Sequence, residues 1–95
     1  KSQLRQIIKE EMNKVLDELK KARPDWKSIR QIIINANVSD FEVFYRFLYD
    51  NASEYLNGKE GMVAIYVNEY SYQANFRIDK EINIMALISK LIELK

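Results

Sequence analysis

A chain of 95 residues with a formal charge of +1 allows one domain and excludes a global field strong enough to draw nucleic acid or a membrane surface. It has no cysteine and no histidine, which removes disulfides, thiolate metal sites, the usual general base near neutral pH and the commonest metal ligand. Two glycines and one proline leave few tight turns, so long helices are favoured over hairpins.

A domain of this size buries only about 60% of the surface its unfolded chain exposes, enough for one core without a deep catalytic cavity. No apolar run is long enough to span a bilayer, and no signal peptide is visible. The chain opens on Lys1-Ser2 instead of methionine, which reads as a fragment or a processed product.

The first element is an amphipathic helix from Ser2, its N-cap, to about Ala22. Leu4, Ile8, Met12, Val15 and Leu19 step by threes and fours, and Ile7 and Leu16 widen the stripe. Acid–base pairs such as Glu10–Lys14 and Asp17–Lys21 fall at helical spacing on the other face. This helix reads as one wall of a helical core, with a coiled-coil partner helix as the alternative.

Arg23-Pro24-Asp25 breaks the chain, because proline disfavours helix at the residue before it and Asp25 can cap the next helix. The second helix is short. Trp26, Ile29, Ile32, Ile33 and Ala36 form its inner side, and Asn35 to Val38 end it. Lys20, Lys21, Arg23, Lys27 and Arg30 crowd the corner around this tryptophan, where they offer a weak phosphate contact. Acids nearby favour an ordinary solvated surface instead.

The stretch Ser39 to Leu56 carries the clearest helix signal. Phe41, Phe44, Tyr45, Leu48, Ala52, Tyr55 and Leu56 share one face, Ser39 with Glu42 forms a capping box, and Asn57-Gly58 supplies a left-handed stop. Val43 and Phe47 project away from that stripe. A helix apolar on two faces is sandwiched, so this one is expected to meet both its own core and something else.

Residues 61–79 are ambiguous. Tyr66, Asn68, Tyr70, Tyr72, Ala74, Phe76 and Ile78 alternate with the residues between them, as a strand would, whereas Met62, Ile65, Tyr66, Glu69, Tyr70 and Gln73 fit successive turns of helix. A lone strand would leave its backbone row unpaired, so a helix over Glu60 to Tyr72 followed by a short aromatic turn is expected. Asp79 can cap the last helix. Ile82, Ile84, Met85, Ala86, Leu87, Ile88, Leu91, Ile92 and Leu94 spread around most of its circumference, interrupted by Glu81, Asn83, Ser89, Lys90 and Glu93. The sum is an all-α fold, a single five-helix bundle. More segments ask for a central place than one small bundle has, so another chain or domain is expected to cover some apolar surface.

No catalytic constellation emerges. There is no phosphate-cradling glycine-rich loop and no nucleophile–base set. Asp50 and Glu54 lie one turn apart and formally admit acid–base work or a weak divalent-cation site, but such pairs are usually surface charge. The six tyrosines suit core rims and interfaces better than base stacking.

Several runs resemble a known family. Asp25-Trp26 stands before a basic helix, followed by Tyr45-Arg46-x-x-Tyr49-Asp50, by Glu69-Tyr70-x-Tyr72-Gln73 with Phe76 behind it, and by Asp79-x-Glu81-Ile82-Asn83. In order and spacing these resemble the C-terminal collar domain of phage-type sliding-clamp loader ATPase subunits, relatives of the replication factor C small subunit. The likeness covers Pro24 to Leu94 and is structural, not catalytic. It implies one domain over residues 1–95, with 24–95 a collar-like helical bundle and 1–22 an N-terminal or linker helix.

It further implies a non-catalytic oligomerisation piece that holds AAA+ subunits in a ring. Other loader subunits would be its partners, the same or different. The sliding clamp and primer–template DNA would be reached only through the parent's other domains, and no membrane is involved. This chain itself would hold no cofactor, since ATP and magnesium belong to the parent's preceding ATPase domains. The setting would be cytoplasmic, in a host cell if the source is a phage. Val43, Phe47, Tyr49, Tyr66, Tyr70, Leu87, Leu91 and Leu94 are the expected subunit-interface residues. The competing reading is a stand-alone helical adaptor that binds a partner helix in a groove.

Overall fold

A computed structural model describes residues 2–36, 41–76 and 79–95, with side chains from Lys9 onward. The caps expected of Ser2 and Ser39 and the stripe positions Leu4, Ile7, Ile8 and Ile78 lie outside the described residues or side chains, as does Val38. The described residues are all-helical: α1 Ser2–Leu19, α2 Trp26–Ala36, α3 Glu42–Asp50, α4 Ala52–Tyr55, α5 Glu60–Gln73, a 3-10 turn Ala74–Phe76, and α6 Lys80–Glu93. There is no strand among them, so the ambiguous stretch is helix with an aromatic turn behind it.

The single helix expected from Ser39 to Leu56 is divided at Asn51, which gives six α-helices instead of five among the described residues. Asn51 leaves helical geometry at φ −107° and ψ 16°. Its side-chain amide and its backbone N–H both donate to the Phe47 carbonyl, at 2.9 and 3.1 Å. A side chain that competes for its own helix's carbonyls interrupts the ladder. The Leu48 carbonyl is met from below, where the Tyr55 hydroxyl donates to it at 2.7 Å. The stripe survives the break, and Phe44, Tyr45, Leu48, Ala52, Tyr55 and Leu56 are all buried. Gly58, at φ +88°, supplies the left-handed stop, and the Lys59 N–H closes the turn onto the Leu56 carbonyl.

α1 stops at Leu19, three residues before the expected end. Pro24 disfavours helix at Arg23, so the Arg23 N–H is not held in helical position for the Leu19 carbonyl. The Lys95 ammonium takes its place, donating to Leu19 O at 2.5 Å and to Tyr55 O at 2.9 Å. Two other lysines serve carbonyls at helix ends, Lys59 at Leu94 and Lys80 at Ala74. The caps read at Asp25 and Asp79 are present. Asp25 accepts from the Lys27 N–H and the Ser28 hydroxyl, and Asp79 from the Ile82 N–H. The expected pairs on α1 are displaced by one residue, with Lys14 bridging to Glu11 and Lys21 to Glu18.

One core joins all six helices. Met12, Val15, Leu16 and Leu19 of α1 meet Ile29 and Ile33 of α2, the α3–α4 stripe, Val63 and Val67 of α5, and the buried run of α6. The radius of gyration is 12.4 Å, about what a compact domain of this length should have, so α1 does not stand off from the rest. α6 is the most deeply buried element. It buries Asn83, Ile84, Met85, Leu87, Ile88 and Leu91, and lies against α5 and α2. The Trp26 indole N–H donates to the Met85 carbonyl at 3.2 Å and fastens α2 to it.

Candidate association surface

The exposed side of α3 is the best candidate for a functional surface. Three open grooves of roughly 410–460 Å³ adjoin there. The first runs between α3 and α5, past Tyr45, Tyr49, Ala64 and Asn68. The second lies between α3 and α1, over Met12, Val43 and Phe47. The third passes the α3–α4 joint toward Glu60 and Gly61. Arg46, Tyr49 and Asp50 form the ridge between them. The Arg46 guanidinium lies 5.6 Å from the Tyr49 ring centroid, and its Nε donates to both Asp50 oxygens at 3.0 and 3.2 Å. The ridge is thus held in shape before anything binds, which lowers the ordering cost of binding.

The expected interface residues fall into three groups. Val43 and Tyr49 are 46% and 47% exposed, and Phe47 is half-buried beside them on α3. Tyr66 and Tyr70 sit half-buried on the inner side of α5, and Leu94 is partly buried at the end of the bundle. Leu87 and Leu91 are completely buried in the chain's own core. They offer nothing to a neighbour, which corrects the expectation for both. α6 is apolar nearly all round because its own chain encloses most of it, Ile82 in the first turn remaining largely exposed.

Sequence periodicity also missed part of the surface. The inner side of α5 is Val63, Val67 and half-buried Tyr66 and Tyr70, so Met62 and Ile65, read as part of the helical stripe, face outward. Further along, Tyr72 and Phe76 meet edge-to-face at 5.2 Å with both rings largely in solvent.

The basic corner loses most of its charge to the chain's own carboxylates. Lys20 pairs with Glu54 at 3.5 Å, Lys21 with Glu18 at 2.7 Å and Arg30 with Glu81 at 3.8 Å. The hydrogen bond and charge of Glu18 raise the Lys21 pKa. Arg23 and Lys27 complete the corner, the latter beside Asp25, whose carboxyl is held below the usual range chiefly by the Ser28 hydroxyl. Asp50 and Glu54 also have cations of their own, Arg46 and Lys20, which argues against a shared divalent ion. No cluster of acidic metal ligands occurs among the described residues. No helix among them is long and apolar enough to cross a membrane.

Beneath the first groove lies a polar junction that the sequence reading passed over. Asn83, one of two polar residues buried among the described residues, donates from its side-chain amide to the Tyr45 hydroxyl at 2.7 Å and to the Tyr70 carbonyl at 2.9 Å. Burial pushes the Tyr45 hydroxyl pKa up, and the bond from Asn83 offsets part of that rise. An asparagine flanked by Ile82 and Ile84 in the last helix was the available signal. This chain matches no protein-family model, no curated protein and no solved structure.

Proposed function

We propose that this domain is a non-catalytic association module that works through the outer side of α3. The observation that carries it is the surplus on that helix. Phe44, Tyr45 and Leu48 fill the core, while Val43 and Tyr49 stay in solvent and Phe47 is only half covered. A pre-shaped Arg–Tyr ridge between open grooves has the composition of an interface hot spot. The test is concentration-dependent mass in solution. Val43→Asp is expected to reduce association, and a wild-type chain that stays monomeric alone and with any sister subunit removes the reading.

In its specific form the proposal is the collar of a phage-type clamp loader, acting in the cytoplasm as the fixed ring from which ATPase domains hang. Support comes from the motif residues in family order. Tyr45, Tyr70 and Asn83, from three of the motifs, share one buried junction, as structural motifs should. Sequencing the coding DNA upstream of Lys1 tests it. A GxxxxGK[ST] phosphate loop in frame supports the collar, and its absence shifts the reading to the adaptor. The adaptor is favoured by the grooves flanking α3, which can seat a helix, and it predicts a monomer or closed dimer where a collar forms higher oligomers.

A further inference from the structure

The walls of the groove between α3 and α5 are joined from below by one side chain. Tyr45 lines the groove from α3, and Val67, Asn68 and Ser71 line it from α5. Asn83 of α6 reaches both walls, bonding the Tyr45 hydroxyl on one and the Tyr70 carbonyl on the other. It is 5% exposed and does not itself line the groove. We propose that Asn83 is a positioning residue for the association surface, a strut that sets the gap between α3 and α5 and so the shape a partner meets. The association part of this inference rests on the function proposed above. The strut itself does not.

The chemistry fits the role. An amide has two N–H donors in a fixed plane, so one asparagine can hold two acceptors at a set separation, as an apolar side chain cannot. Apolar packing tolerates sliding, whereas a satisfied buried polar group specifies one arrangement. The bond to Tyr70 falls on the last turns of α5. The Tyr70 carbonyl also accepts from the Ala74 N–H, so it keeps one partner when Asn83 is replaced. That leaves a leucine at position 83 compatible with folding.

The test compares Asn83→Leu and Tyr45→Phe with the wild-type chain, reading backbone amide signals by two-dimensional NMR and mass against concentration. In Asn83→Leu the signals of Arg46 and Tyr49 on one wall and Ala64 and Asn68 on the other should shift. Those of Val15 and Ile29, on α1 and α2, should stay in place. Tyr45→Phe removes only one attachment, so the α3 wall should shift alone. Association should weaken about fivefold or more in Asn83→Leu, although the residue is buried.

Wall signals that coincide with wild type, or shifts spread evenly through α1 and α2, overturn the strut and leave Asn83 as an ordinary core residue. If Asn83→Leu does not fold, Tyr45→Phe decides by the same signals. A wild-type chain that never associates removes the function proposed above, while the NMR comparison still decides the strut.

Discussion

α6 and α3 have the same excess in sequence and opposite fates in the fold. Both are apolar beyond a single stripe. α6 spends most of the excess internally: Leu87, Ile88 and Leu91 are fully enclosed by the other helices, and Ile82 in its first turn is left largely in solvent. α3 has one flank in the core and leaves Val43 and Tyr49 in solvent. An apolar circumference therefore does not by itself imply a partner. Only where a helix runs along the outside of its own bundle is the second face left over for another molecule.

Substitutions on the two helices should separate these cases. The largest effect is expected for Leu91→Asp, which buries an unpaired charge at a fully enclosed core position. It should cost more than about 4 kcal/mol and abolish the cooperative thermal transition seen by circular dichroism. A folded Leu91→Asp protein with lost association would reverse the roles given to α6 and α3. Phe47→Asp, at a half-buried position, should lower stability by about 1–3 kcal/mol and weaken association as well, read from paired denaturation and sedimentation measurements.

Tyr55→Phe examines the joint that ends α3. Loss of its bond to the Leu48 carbonyl should cost about 1 kcal/mol near neutral pH in a urea titration. Burial raises the pKa of the Tyr55 hydroxyl and, less strongly, that of Tyr45. A raised folded-state value means that the neutral forms stabilise the fold fully below the ordinary tyrosine pKa of about 10, and that this contribution drains away as pH climbs above it. Alkaline unfolding of the wild type should therefore begin above about pH 10, and Tyr55→Phe should push its midpoint upward. An unchanged alkaline midpoint would mean that Tyr55 does not limit the fold there. The smallest effect on stability belongs to Val43→Asp, within about 0.5 kcal/mol, although it should affect association more selectively than the other substitutions. A large loss of stability would return Val43 to the core.

Much of the fold was legible because local and periodic signals agreed. The α3–α4 stripe, the caps at Asp25 and Asp79 and the stop at Gly58 are each a short-range arrangement of a few residues. Helix over Glu60 to Tyr72, one residue short of the observed α5, followed from the lack of any strand partner. What stayed hidden depends on contacts far apart in sequence. The early end of α1 involves Lys95, and the place of Asn83 depends on Tyr45. Which side of α5 turns inward depends on α3 and α6, and its own residues, apolar on nearly every side, do not decide it. The break at Asn51 was local but masked, because a one-residue interruption hardly displaces the stripe. For the surface, Val43 and Phe47 were legible as a surplus on a well-defined helix, whereas Leu87 and Leu91 were not separable from them until the enclosure of α6 was seen.

The placement of α6 also has a consequence for how the protein is made. Synthesis delivers the chain from its N-terminus, so the helix that completes the core is the last of these six to leave the ribosome. Until then Ile29, Phe44, Leu48 and Val63 have no α6 to close over them. The bond from Trp26 to Met85 bridges 59 positions and that from Tyr45 to Asn83 bridges 38, and neither can form earlier. A ribosome stalled before Lys80 would hold the inner faces of these helices without their cover, a species suited to chaperones and prone to clumping.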